Sequence, residues 1–480
     1  MIGSRFSYFN PDQIEFLKDK VLDFLETQGV ELDPHEEMLK ALASAGAKVD
    51  PQTGMVRIPR EVMLSLLDQA PKEFRLGARG ADRVMDLPRP DGTFYARSGT
   101  GAHGWIEPET GDYRKLSLED LAQWAKLIDK LDNINFIPFL FPTGAPVQTA
   151  DVHGLKTVLI NTDKHAWVQP YSNGSIEYLI ELGAVVAGGR EALRKNPVIS
   201  MIACSLSPRA FKHMDIEIIH QSARAGVPVQ ACSLPGAGGT APATMPAVII
   251  LAVVEILAMT AMAQAVAPGT PVVACPIIFS TDMKTGRSLQ SSVEAMKGAS
   301  GAIQFIKQAF GLPTHNYGSG ADSPIVDAQS MSERAMLTTL MSVSGLDILG
   351  GAGQLEVATA VSPLQIIVDN EVVGMARELI REQTLDEDTL ALDLMAEVKP
   401  GVHYMLTRHT LEHCHDGLEP LNFVRQPRDT WKRKGAKDLM ERVMDDYLTL
   451  KKEENVHVMA KERIAELEAV AVAADRKLID

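Results

Sequence analysis

Eight times between Ile134 and Val368 a short apolar run ends in polar or small residues and gives way to a helix-length stretch. The runs cover 134–141, 166–171, 198–204, 228–233, 271–279, 313–317, 346–349 and 364–368. Strands of about five residues alternating with helices predict parallel βαβ units, and eight such units close a (β/α)8 TIM barrel. The expected fold class is therefore α/β, with the barrel core over 131–382. Such a barrel carries its chemistry at one end, in the loops that follow the strands.

Apolar positions spaced near 3.6 residues predict helices over 14–28, 35–45 and 59–69, the first capped by Asn10 or Asp12. Val56, Arg57 and Ile58 form a short extended piece between them. From Phe74 to Tyr113 the chain turns Gly-rich and extended, which predicts hairpins. Ser117 and Asp120 have capping-box spacing at the start of the helix that leads into the barrel. Residues 1–130 thus read as a helical and hairpin region packed on the barrel. Residues 383–480 read as a C-terminal helical extension, with helices over 386–398, 403–413, 433–451 and 456–478.

Length changes the picture first: 480 residues exceed a plain barrel of roughly 250, so these additions must cap or flank it. The formal charge of −15 argues against nucleic acid as a partner, because phosphate backbones reward clustered Lys and Arg. The opening MIGSRFSYFNPDQ lacks the basic start and apolar core of a secretory signal. The most apolar stretch, 247–267, contains Glu255 and Gln264 and fits a buried barrel helix better than a membrane span. Four scattered cysteines suit a reducing compartment, so a cytoplasmic protein without membrane contact is expected.

Three cysteines, Cys204, Cys232 and Cys275, fall near the ends of the third, fourth and fifth runs. Converging thiolates would hold Zn²⁺ with one position open to substrate, but free cysteine is also a small buried hydrophobe, and packing is the preferred account. In His413-Cys414-His415 neighbouring helical residues diverge, and only His409 and His413 share a face. No metal bound by this chain is expected. Schiff-base chemistry wants a desolvated lysine at a strand end, and no run ends in one: Lys164 precedes its run and Lys284 lies well into a loop.

The strand ends supply aromatic surface instead. Phe139, Phe141, Trp167, Tyr171, Phe279 and Tyr317 lie on the runs, and Phe94, Tyr95, His103 and Trp105 in the hairpin region before them. In a chain only 5% aromatic this clustering suggests a cage for a cation, each ring face contributing ~0.5–2 kcal/mol, with ordinary core filling as the alternative. Two Gly-rich loops follow strands. Gly236, Gly238, Gly239 and Thr240 form one, and the other runs from Gly350 through Gln354 to Glu356. Backbone N–H groups in such loops can cradle a carboxylate or phosphate.

At these residues the chain resembles the trimethylamine methyltransferase (MttB) superfamily nearly from end to end. The likeness includes TQGVELDPHEEMLKALASAGAKVDPQTGMVRIPREV, TGDYRKLSLEDLAQWAKLIDKLDNINF, SLPGAGGTAPAT, YGSGADSPIVDAQSMSE and RHTLEHCHDGLEPLNFVRQPRDTWKRKGAKDL. The resemblance implies a barrel enzyme that passes methyl from an amine to a corrinoid (cobalamin) carried by a partner protein. Founding members place pyrrolysine in the loop that resembles Tyr317 to Asp322, nearest Gly318, Ser319 or Gly320, whereas this chain is written entirely in standard amino acids. Members without pyrrolysine are similar in fold and demethylate quaternary amines.

The resemblance therefore implies an anaerobic methyltransferase acting on glycine betaine to leave dimethylglycine, with proline betaine, carnitine or butyrobetaine as alternative donors. The expected substrate contacts are Tyr95, His103, Trp167, Tyr171, Phe279, His315, Tyr317, Gly318, Ser319, Gly320, Gln354 and Glu356. His103, His315 or the loop of Gly236, Gly238, Gly239 and Thr240 would anchor the donor's carboxylate. Corrinoid-binding chains carry Asp-x-His-x-x-Gly; Asp151, His153 and Lys156 come close but end in lysine on a barrel crossover, so the corrinoid is assigned to the partner. A homo-oligomer is expected. A zinc-thiolate methyltransferase and a non-catalytic binder of cationic solutes remain the alternatives.

Overall fold

The structure is a computed structural model describing residues 7–454 and 457–479. The first six residues of the opening stretch and Val456, where the last helix is expected to start, lie outside the described residues. Eight parallel strands form the central sheet. They are β1 (Tyr95–Ser98), β2 (Phe136–Pro138), β3 (His165–Val168), β4 (Ile199–Cys204), β5 (Val229–Ser233), β6 (Val272–Pro276), β7 (His315–Tyr317) and β8 (Ile348–Ala352). The sheet runs β6-β5-β4-β3-β2-β1-β8-β7, and a parallel bridge from Ala274 to Thr314 joins its two edges into a barrel.

Seven of the expected runs hold barrel strands; the eighth does not. Residues 364–368 lie in the helix Pro363–Ile380, whose side-chain cap is Ser362 and whose first position is a proline. A five-residue apolar run fits a buried strand or one side of a buried helix equally well, and here the cap decides. The missing strand is β1, drawn from the region expected to hold hairpins, and it pairs with β2 on one side and β8 on the other. The barrel wall thus begins well before residue 131.

Alternation fixes which side chains enter the barrel. Phe136, Trp167, Ile202, Cys232, Cys275, Tyr317 and Ile348 share one apolar cluster inside it, while Ile137, Ala166, Val168, Met201, Ala231 and Leu349 face the helices. The N-terminal end is stopped by the hairpin Phe74–Leu76 with Met85–Leu87, whose Leu76, Met85 and Leu87 pack into the inner cluster. On the outside, the helix Pro11–Thr27 carries an Asn10–Gln13 capping box, and Glu36–Ser44 and Arg60–Gln69 follow. Ser117 and Asp120 form the expected capping box of Leu118–Asp129.

The apolar helix Met245–Val266 is long enough to cross a membrane, yet 78% of its most apolar window is buried within the fold. Its single acid, Glu255, accepts hydrogen bonds from Ser205, Ser207 and Ser233 and from the Arg209 backbone N–H. It thereby fixes the loop after β4. The C-terminal extension is more broken than its periodicity predicts: 386–398 holds two short helices, Glu387–Leu390 and Leu392–Glu397, and only Arg408–His413 is helical within 403–413. The last helix, Lys461–Leu478, buries Leu467, Ala471 and Ala474 and is tied to the barrel helix Ala150–Asn161. His153 pairs with Asp475 at 3.1 Å and Lys156 with Glu468 at 2.6 Å, so the corrinoid-like stretch serves as a docking surface for the chain's own tail.

Candidate active site at the barrel mouth

The inner wall above the plug is centred on Arg97, which is fully buried. It stands on β1, and its guanidinium carbon lies 4.2 Å from the Trp167 ring centroid and 5.0 Å from that of Tyr317. Its Nε–H donates to His315 Nε2 at 2.9 Å, and Nη1 donates to the Ser98 carbonyl at 2.7 Å. Nη2 has no hydrogen-bond acceptor among the described residues. No carboxylate pairs with this arginine among the described ion pairs, although burial pulls its basicity down from the ordinary guanidinium range. A buried charge is normally paired, because desolvating it alone costs several kcal/mol.

Around Arg97 further buried polar atoms lack protein partners. They are Trp167 Nε1, His315 Nδ1, Ser291 Oγ and both amide atoms of Gln290 and of Gln354. Native interiors satisfy nearly all such groups, so a cluster of exceptions marks where something other than this chain completes the bonding. Because His315 Nε2 accepts from Arg97, its Nδ1 carries the proton. Burial and the adjacent guanidinium hold the imidazole well below its usual pKa, and the ring is neutral.

Glycines make room for this arrangement. A Cβ on Gly350 would meet His315 Nε2 at 2.5 Å and Arg97 Cζ at 2.7 Å, and one on Gly320 would meet Gln290 Nε2 at 1.8 Å. The loops after β7 and β8 are locked together by Arg334, fully buried and paired with Asp369 at 2.7 Å. Arg334 also donates to the carbonyls of Ser319 and Gln354, and Asp369 accepts from the Gly353 N–H at 2.6 Å. Glu356, Val357 and Ala358 follow with positive φ of 53°, 51° and 71°. Three consecutive left-handed residues other than glycine store strain beside the mouth.

The structure sorts the expected site residues into groups. Trp167, His315, Tyr317, Gly320 and Gln354 surround Arg97 or the unpaired amides, and Phe279 packs against the same inner cluster. Gly318 and Ser319 sit beside them, both donating N–H to the Gly350 carbonyl, and Glu356 lies at the rim with Arg287 at 3.8 Å. Tyr95 falls elsewhere: it opens β1 two residues below Arg97, with Arg89 over its ring at 5.2 Å and the plug hairpin beside it. His103 is exposed, and its backbone bonds Thr359 and Leu116. Tyr171 belongs to a separate trio with Phe139 and Phe141, at centroid distances of 5.8 and 4.7 Å.

The loop after β5 offers no anion nest. Gly239 and Thr240 donate their N–H groups to the Gly236 carbonyl, Gly238 donates to Ala241, and the Gly236 N–H is taken by Thr240 Oγ1. The faces of Trp167 and Tyr317 are likewise already turned to a resident cation, Arg97. Sequence reasoning missed Arg97, Gln290 and Ser291. The signal for the first was an arginine at the inward position of a short Phe-Tyr-Ala-Arg-Ser run that looked like part of a hairpin.

Cys204, Cys232 and Cys275 do line up, paired in register across β4, β5 and β6 and facing inward. Burial pushes the Cys232 and Cys275 thiols up, and hydrogen bonding to Cys232 followed by burial does so for Cys204. The row lies against the inner apolar cluster, where a free thiol packs as a small hydrophobe. Among the described residues three clusters bring metal-type ligand atoms within 4.8 Å, and none includes a cysteine: His35/Glu217/His220, Asp388/His409/His413 and Asp129/Asp163/His457. In the first, His35 Nδ1 accepts from the Met38 N–H, so Nε2 bears the proton and donates to Glu217 at 2.5 Å.

A family model described as trimethylamine methyltransferase (MTTB) matches residues 3–477. A trimethylamine methyltransferase MttB of Desulfitobacterium hafniense is 26% identical over 446 residues, covering 92% of this chain and 88% of the relative. A glycine betaine methyltransferase of the same species is 28% identical over 449 residues, covering 91% and 90%. Among solved structures, the monomethylamine methyltransferase MtmB of Methanosarcina barkeri superposes with a TM-score of 0.52 at 13% identity, covering 98% of this chain and 92% of that one, a likeness of fold.

Proposed function

We propose a function for this chain from the family to which it belongs, the trimethylamine methyltransferases: it moves a methyl group from glycine betaine to the reduced cobalt of a corrinoid held by a separate protein. The observation that carries the donor's class is Arg97, a buried guanidinium whose Nη2 has no acceptor and which has no carboxylate partner among the described residues. A donor that brings a carboxylate completes this arginine, with the His315 Nδ1–H as a second donor. The side-chain amides of Gln290 and Gln354, buried and without partners among the described residues, would supply oxygens to the positive end of a zwitterion.

Charge then discriminates among donors. A methylammonium without a carboxylate would sit against an uncompensated guanidinium, a repulsion of about 3 kcal/mol at ~5 Å with an effective dielectric of ~20. Proline betaine, carnitine and butyrobetaine carry the same pair of charges as glycine betaine, and they fall within the same reading. The relative named for glycine betaine and those named for trimethylamine are equally distant in sequence, so Arg97 weighs more than either name.

The reaction needs little from the protein beyond alignment and dryness. A quaternary nitrogen is already a positively charged leaving group. The C–N bond breaks with both electrons going to nitrogen, the methyl carbon bonds to cobalt, and dimethylglycine departs without a proton transfer. The mouth agrees with this, because beside the charged Arg97 the groups able to exchange a proton are neutral: burial and the adjacent guanidinium hold the His315 imidazole well below its usual pKa, and burial raises the Tyr317 phenol and the Cys232 and Cys275 thiols. Arg97 and its neighbours orient the donor so that one N-methyl faces the open end, where the corrinoid protein docks.

Incubation of the pure protein with free cob(I)alamin and a donor tests the proposal through the methylcobalamin spectrum. Glycine betaine is expected to give it, and trimethylamine and tetramethylammonium are not. Methylation from tetramethylammonium at a comparable rate rejects the carboxylate reading, and no methylation from any amine rejects the transfer reading.

A further inference from the structure

Between Ile380 and Asn422, both buried, the chain leaves the fold for residues 381–421 without burying a single side chain. The excursion is ordered as short helices of four, six and six residues, too short to persist alone in water. It nevertheless displays large apolar side chains, among them Leu385, Leu392, Met405, Leu406, Leu411 and Leu421, with Leu406 87% exposed. Ordering a segment costs roughly 1–2 kcal/mol per residue, which burial must offset, and within one chain nothing here is buried. Concentrated apolar exposure of this kind marks an interaction surface.

Position and charge identify what covers it. The helix Pro363–Ile380 starts at the mouth after β8 and runs back toward the N-terminal end, where Arg377 donates to the carbonyl of Phe94 just before β1. The segment therefore springs from the end opposite the chemistry. It is tied back by Glu371, which accepts from the N–H groups of Asn422 and Phe423 at 2.7 and 3.0 Å. Residues 382–398 hold six acidic side chains and no basic one, whereas 399–437 hold eight basic and four acidic. Among the described residues the two stretches form one ion pair within the chain, Asp388 with His413 at 3.3 Å.

We propose that residues 381–421, together with the basic stretch 425–437 that follows their tie to the fold, form an arm that grips the arm of a second copy of this chain about a two-fold axis. The acidic stretch of each copy lies against the basic stretch of the other, and the exposed leucines and methionines fill the seam between them. A two-fold axis makes every such pairing twice, which suits a surface that is acidic at one end and basic at the other. Both barrel mouths stay open in this dimer, so a corrinoid protein can reach each of them. The inference does not depend on which amine is the donor.

Sedimentation equilibrium on the full chain tests it. The wild-type protein is expected at twice 52.2 kDa. Leu406→Asp with Leu411→Asp is expected to raise the dissociation constant by about 100-fold while far-UV circular dichroism and the melting temperature of the barrel stay unchanged. Lys432→Glu with Arg433→Glu is expected to weaken the dimer in a salt-dependent way, and adding Glu387→Lys with Asp388→Lys to the same chain is expected to restore it. A wild-type monomer at about 50 μM, where a dimer of micromolar affinity would form, overturns the proposal. So does a Leu406→Asp/Leu411→Asp protein that keeps its dimer, and one that loses transfer to the corrinoid protein but not to free cob(I)alamin assigns the arm to that protein instead. Failure of the second charge pair to restore the first overturns the acidic-to-basic pairing.

Discussion

One step along the same strands separates two polar layers inside the barrel, and they are built on opposite terms. In the lower layer His165 donates from Nδ1 to the Gly77 carbonyl of the plug segment and accepts at Nε2 from Ser200 Oγ, both at 2.8 Å. Gln230 donates to the same Ser200 and accepts from Cys275 Sγ at 3.5 Å. Two residues further along β3 and β1 stand Trp167 and Arg97, where an indole N–H, an imidazole N–H and a guanidinium edge lack acceptors. The two buried arginines repeat the contrast, since Arg334 has Asp369 and Arg97 has no carboxylate among the described residues. The lower layer completes its bonding within the chain, and the upper layer leaves buried donors without protein partners among the described residues.

The sharpest way to break the comparison is Arg97→Met. Removing one member of a desolvated charge pair costs ~2–5 kcal/mol in binding, so KM for glycine betaine is expected to rise by roughly two to three orders of magnitude. The melting temperature is expected to hold or rise, because an unpaired buried charge has been exchanged for an apolar chain. A lower melting temperature with KM unmoved would place the upper layer with the lower as scaffold.

Acid should expose the lower layer next. Burial holds His165 down to about 4, below its ordinary 6.5, so the unfolded chain binds the proton first. The stability that comes from keeping this ring neutral is complete above pH 6.5 and is lost as pH falls from 6.5 toward 4. It amounts to about 3 kcal/mol at 1.36 kcal/mol per unit. Urea titrations across that window are expected to show the slope, and His165→Gln to flatten it. Burial and the Arg97 guanidinium hold His315 well below its ordinary value, so donor binding is expected to change little near neutral pH.

Gln354→Leu should have a smaller effect. Replacing an unpaired buried amide by an apolar side chain of similar size is near-neutral for folding, while the loss of one ligand hydrogen bond costs ~1–2 kcal/mol, about tenfold in KM. The smallest effect is expected from Cys232→Ser, within about 1 kcal/mol in stability and without change in metal content by plasma emission analysis. Stoichiometric zinc in the wild-type protein that disappears in this variant would reverse the assignment of the cysteine row to packing.

Much of the fold was legible before any coordinates. Seven strands, a cap at Asn10, the capping box at Ser117 and the buried character of 247–267 all follow from local rules, because caps and periodicity are written within a few residues. The strand β1 was not legible. Its four residues include an arginine that only makes sense inside a closed barrel, and the true helix at 363–380 imitated a strand in its first turn. Aromatic clustering drew attention to Trp167 and Tyr317, and the faces of both rings are turned to Arg97. The Gly236–Thr240 loop looked like an anion nest because glycine content reports flexibility, and it says nothing of where the N–H groups end up.

The sequence by itself determined an alternating α/β chain, through the spacing of its apolar runs, and the family, through the likeness of its motifs. Both survive without knowledge of any long-range contact. Only the tertiary structure decided which arginine lacks a partner, which cysteines align and which helices stay uncovered. Pairing and burial are properties of residues brought together from distant parts of the chain, as when Arg97 meets His315 across 218 positions, and no local pattern encodes them.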